Sequence, residues 1–173
     1  MKRSLAIRSD NGPMQWIGWP AAMAAGGMLL LATPVQVFGF NLPEPILPLL
    51  LAFAWPLIRP SLVAPAALFG LGLFLDVLLY QPLGLWPLCL LVPYGVVLAA
   101  RPFLAGQETR VLFFWFALTS ALAFLLAYLI ATLSTGMAPS LLALLGQFVP
   151  TVLMFPLANV LIERFDDVDA RFR

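Results

Sequence analysis

Asp76 is the side chain of this sequence with the clearest capacity for chemistry, because it is the only acidic or basic residue well inside an apolar run. It lies fourteen residues into the run that starts at Leu62. A carboxylate at such depth costs about 2.5 to 3.5 kcal/mol at a helix centre on membrane-insertion scales, so its retention calls for a use: relaying a proton, holding a cation or accepting hydrogen bonds. Enzyme chemistry is hard to assemble around it. The chain has no histidine and one cysteine, Cys89, so no nucleophile with its base, no pair of buried carboxylates and no Cys/His zinc site can be drawn. No glycine-rich phosphate loop followed by lysine is present either. The expectation is a protein without catalytic activity, with no catalytic, cofactor-binding or metal-ligating residues.

Two readings of Asp76 compete. It sits near enough to one end of its run to be hydrated, or it faces protein and is hydrogen-bonded there. On a helix it shares a face with Phe69, Gly72 and Tyr80, and Gly72 would let a neighbouring helix come close. By depth, the expected polar neighbours are Gln147 and Thr151, one turn apart in the last apolar segment and about 9 to 15 Å from its start at 1.5 Å per residue. In one version these make a small polar site; in the plainer one they make a helix-packing hydrogen bond, worth about 0.6 kcal/mol in membranes. The plainer version predicts that Asp76→Asn is tolerated better than Asp76→Leu, because the amide still pairs with Gln147 or Thr151.

The elements that must position these groups follow from composition. Of 173 residues, 62% are hydrophobic and 10% charged, against about 25% charged in soluble domains, so the chain cannot cover itself with a water-compatible surface. The reading is an all-α integral membrane protein, a compact bundle of about six transmembrane helices. The net charge of +1 forms no basic patch, which argues against nucleic acid and leaves membrane lipid as the surrounding partner. Six apolar segments can be drawn, at 19–40, 46–58, 62–80, 83–100, 111–133 and 141–162. Most reach roughly 27 to 35 Å as helices, enough for a hydrocarbon core of about 30 Å. The second is short and crowded by Pro43, Pro45, Pro48 and Pro56, so it is either an irregular full span or a re-entrant half-helix.

The positive-inside rule favours the full span. With six spans and a cytoplasmic N-terminus, all nine cations fall inside: Lys2, Arg3, Arg8, Arg59, Arg101, Arg110, Arg164, Arg171 and Arg173. A re-entrant second segment would place six of the nine outside. The expected organisation is a cytoplasmic segment at 1–18, a six-span domain at 19–162 and a charged cytoplasmic tail at 163–173, with loops near Asn41, Gln81 and Gly136 facing outward. Trp16, Trp19, Trp55 and Trp115 would mark the inner edge, and Phe38, Phe40, Tyr80 and Trp86 the outer one. Ala22 with Gly26, and Ala66 with Gly70, are spaced for close helix contacts within or between subunits, so a homo-oligomer is admitted.

The stretch from Phe53 to Leu85 resembles the rod-shape-determining protein MreD family of bacteria. The resemblance rests on Trp55, Arg59 and Pro60, then Gly70, Gly72, Leu73 and Asp76, then Pro82, Leu83, Gly84 and Leu85, and on the plan of a short chain with five or six spans. Tyr80-Gln81 departs from the pattern, standing where the family often has a glycine-rich turn, as does Trp86, which stands where a polar residue often follows the Gly-Leu pair. The resemblance implies a non-enzymatic inner-membrane scaffold that binds MreC, a single-span protein with an outer domain, and through it links the MreB actin-like filament to the rod-type cell-wall synthase. Its candidate structural or partner-binding residues are Trp55, Arg59, Pro60, Gly72, Asp76, Pro82, Gly84 and Gln147. The helical plan also looks like the substrate-binding subunit of energy-coupling-factor transporters, which gives the alternative of a vitamin-type binding subunit.

Overall fold

The computed structural model describes residues 14–31, 36–37, 40–41, 44–136 and 140–170. A turn of π-helix, Met14–Gly18, opens into α1 (Trp19–Leu31), followed by a two-residue antiparallel pairing of β1 (Gln36–Val37) with β2 (Phe40–Asn41). Then come α2 (Pro48–Ile58), α3 (Val63–Leu78), α4 (Leu85–Leu104), α5 (Thr109–Thr135), α6 (Leu141–Leu153) and α7 (Phe155–Ala170). Three of these helical stretches, Leu85–Leu104, Thr109–Ser134 and Leu141–Glu163, are long and apolar enough to cross a membrane; Trp16–Leu31, Pro48–Ile58 and Val63–Leu78 are apolar but shorter.

The first predicted span, 19–40, is corrected: α1 is described for Trp19–Leu31, and within the same run Gln36–Val37 pairs antiparallel with Phe40–Asn41. The sequence places Pro34 between the two, and Val37 and Phe40 suit strand pairing as well as they suit a helix. Phe38 itself lies outside the described residues, as do residues 1–13 of the expected cytoplasmic segment and Arg171 to Arg173 of the tail. The last predicted span, 141–162, coincides with the apolar stretch Leu141–Glu163, interrupted for one residue at Met154 between α6 and α7. Pro156 explains the break, since it has no N–H to offer the Val152 carbonyl and its ring crowds that group. Helix continues into the charged end as far as Ala170, within the expected tail at 163–173.

α2 is the axis of the packing. Pro48 opens its first turn, where a missing N–H costs nothing, and every residue from Pro48 to Leu57 is buried. One face, with Leu49, Ala52 and Trp55, joins a core with α1, α3, the first half of α4 and the middle of α5. The other, with Leu50, Phe53, Ala54 and Leu57, meets the end of α4, the start of α5, and α7, where Phe53 stacks edge-on against Phe116 and Phe155 at 5.3 and 6.4 Å. At eleven residues α2 is about 16 Å long, roughly half a hydrocarbon core. The body of so short a helix is enclosed by other helices from Pro48 to Leu57, and the chain emerges at exposed Arg59 and Pro60.

Packing corrects three tryptophans. Trp55 is fully buried, and Trp86 and Trp16 are 4% and 8% exposed, so none of them is a boundary anchor. Trp19, at 68% exposed, keeps the exposure such a role requires. The pairs Ala22 with Gly26 and Ala66 with Gly70 make no close contact inside the chain: a Cβ added at either glycine meets nothing within 4 Å.

Candidate functional site

Asp76 lies in the last turn of α3 and is 1% exposed, which removes the hydrated reading. Its carboxylate does not meet Gln147 or Thr151. Oδ2 accepts a hydrogen bond from the Gly84 backbone N–H at 2.6 Å and Oδ1 one from the Trp86 N–H at 2.9 Å. These N–H groups belong to the start of α4, whose first-turn donors have no partner within the helix. A side-chain oxygen commonly caps such a turn from the residue just before it; here the cap arrives from eight residues back, across the connecting turn. The expectation of a layer shared with Gln147 is therefore corrected, and the reason is local. Backbone donors at a helix start lie nearer, and the N-terminal end of the helix dipole favours the carboxylate.

The backbone of Asp76 works as well. Its carbonyl accepts from Gln81 N–H at 2.8 Å, and Tyr80 N–H reaches the Val77 carbonyl at 3.5 Å. Together these two bonds close α3 as a Schellman cap, whose left-handed position is normally glycine. In this chain Tyr80 fills it with φ 52°. One residue thus closes α3 through its carbonyl and starts α4 through its carboxylate. Gly84, with φ +98°, supplies the second left-handed position that the turn requires.

Gly72 behaves as its spacing suggested. An added Cβ would sit 2.5 Å from Pro87 Cα, so only glycine lets the start of α4 lie against α3 one turn below the carboxylate. At the other end of the hairpin, Ser61 Oγ accepts from Val63 and Ala64 N–H at 3.1 and 3.3 Å, and Tyr94 O–H donates to the Ser61 carbonyl at 3.3 Å. Arg59 and Pro60 are exposed in this α2–α3 turn, away from Asp76. Pro82 is exposed in the α3–α4 turn. The structure brings Gly72, Asp76, Pro82 and Gly84 into one joint, and leaves Trp55 in the core and Gln147 on α6.

Thr151 serves a different junction. Its hydroxyl donates to the Gln147 carbonyl at 2.7 Å and accepts the buried Ile46 N–H at 3.0 Å, fixing the entrance to α2 against α6. Just before that entrance, Glu44 is half-buried with one carboxyl oxygen unpartnered, and desolvation raises its pKa above the usual carboxylate value. The residues that sequence reasoning passed over as site members are Trp86 and Tyr128. Trp86 stacks edge-on against Phe124 at 6.1 Å, and Phe124 against Phe148 at 5.8 Å. The available signal was Pro87 three residues after Gly84, which marks a helix start facing Asp76. No family model, curated protein or solved structure matches the chain.

Proposed function

We propose that this chain is a non-enzymatic, membrane-embedded scaffold of the bacterial rod-shape machinery, working beside a single-span MreC-like protein that connects an MreB-like filament to the cell-wall synthase. The observation that carries the reading is the α3–α4 joint: Gly72, Asp76, Pro82 and Gly84, four residues of the resemblance, meet there in a purely structural role. A scaffold needs a rigid helical surface, and a buried carboxylate spent on backbone N–H groups offers rigidity without reactivity. Leu125, Leu129, Leu142, Leu145 and Val149, exposed on α5 and α6, suit a lipid or helix-binding face. In this reading both termini lie in the cytoplasm, as the placement of the nine cations favours.

Depletion should widen or round rod-shaped cells, and the tagged protein should co-purify with a single-span partner. Impermeant cysteine labelling on a Cys89→Ala background should reach position 81 from outside and not position 105. Normal morphology with lost uptake of a vitamin would instead favour the substrate-binding subunit of a transporter. A cleft of about 300 Å³ between α4, α5 and α6 is the observation that speaks for that alternative.

A further inference from the structure

The cleft lies between the α3–α4 joint and the α5–α6 hairpin, at the low end of the usual size for small-molecule sites. Trp86 and Phe124 form an aromatic wall, and Leu85, Ala127 and Leu144 complete the apolar lining. Gln147 and Tyr128 also line it, both half-buried. Neither the Gln147 amide nor the Tyr128 hydroxyl hydrogen-bonds to another described residue, while the Thr151 and Thr132 hydroxyls bond the backbone carbonyls of those two residues. The cleft therefore sets an apolar aromatic wall beside an amide and a hydroxyl that are open to a guest. No charged side chain lines the cleft, so a charged guest would lose its hydration without compensation.

We propose that the cleft binds an uncharged amphipathic molecule, its apolar part against Trp86 and Phe124 and a hydroxyl or carbonyl oxygen meeting Gln147 and Tyr128. The same chemistry is offered by the glycerol-ester portion of a neutral lipid and by a free small ester or alcohol. The inference stands independently of the scaffold reading, since it concerns occupancy and not cell shape.

The test uses the full chain in phosphatidylcholine nanodiscs with a monoacylglycerol carrying a photoreactive diazirine beside its head, the labelled peptides being mapped by mass spectrometry. Label should concentrate on residues 124–131 and 143–147 relative to the exposed Phe113, Phe114 and Leu118. Tyr128→Phe, which removes only the hydroxyl, should lower labelling about fivefold, the equivalent of one hydrogen bond. Ala143→Phe, at an exposed position on the rim, should lower it about tenfold or more by filling the space. Competition by water-soluble monobutyrin assigns a free ligand; retention of label in its presence assigns a lipid-borne one. Equal labelling of Phe113, Phe114 and Leu118 on the one hand and 124–131 on the other, or labelling untouched by both variants at unchanged melting temperature, overturns the proposal.

Discussion

Two helical hairpins flank the cleft, and they are built to opposite specifications. The α3–α4 turn is closed by a buried carboxylate with both oxygens engaged, and a tyrosine is held at φ 52° to let that happen. The α5–α6 connection ends α5 on Gly136 at φ 69°, where glycine is at ease, and starts α6 with an exposed Ser140 hydroxyl that accepts from Ala143 N–H at 3.4 Å. One joint uses a left-handed tyrosine and a buried carboxylate to fix its geometry; the described ends of the other use a left-handed glycine and an exposed serine cap. The lesson is that the α3–α4 hairpin is held by a buried cap that reaches across the turn, whereas the described ends of the α5–α6 hairpin are capped locally at the surface.

Substitutions should separate the two joints by size of effect. Asp76→Leu should be the most damaging, since it leaves the Gly84 and Trp86 N–H groups without their acceptor; a loss of about 3 to 5 kcal/mol is expected, by analogy with a buried charge partner removed. Thermal unfolding in detergent, followed by loss of soluble protein, would show it. Gly72→Val should follow, at about 1 to 3 kcal/mol, because the added methyls collide with the Pro87 backbone and not with a movable side-chain tip. A melting temperature within error of the wild type for Gly72→Val would mean that α4 is not seated on α3 as described.

Tyr80→Gly should act in the opposite direction. Relieving a left-handed tyrosine is expected to gain about 0.5 to 1 kcal/mol, visible as a raised melting temperature, whereas a drop would show that the exposed ring carries a contact of its own. At the second joint, Ser140→Ala should cost only about 0.5 kcal/mol, the low end for a helix cap in an exposed setting. An effect as large as that of Gly72→Val would erase the contrast between the hairpins.

How far these joints were legible in the sequence differs in the same way. Gly72 could be read as a close-approach glycine because helical spacing alone puts it beneath Asp76. The partner of the carboxylate could not, because backbone N–H groups have no residue type and a pattern search finds only side chains such as Gln147 and Thr151. Hydropathy located the long α4 and α5, where about thirty apolar ångströms leave little choice. It overran α1, because Val37 and Phe40 are as apolar in a strand pairing as in a helix. The burial of Trp55 and Trp86 was equally hidden, since an aromatic near a segment end reads as a boundary anchor until the neighbouring helices are placed.

The central claim is that Asp76 acts as an acceptor of two backbone hydrogen bonds and not as a charge presented to a partner or a proton. Asp76→Asn tests it directly. The geometry revises the expectation of tolerance, because an amide offers one acceptor oxygen where two N–H groups point, and its NH2 would face the second donor. Complementation of a depletion strain should be measured together with membrane abundance and melting temperature. The account predicts that Asp76→Asn lies between wild type and Asp76→Leu, with function falling only as far as abundance and stability fall. Loss of function at wild-type abundance and an unchanged melting temperature would contradict it.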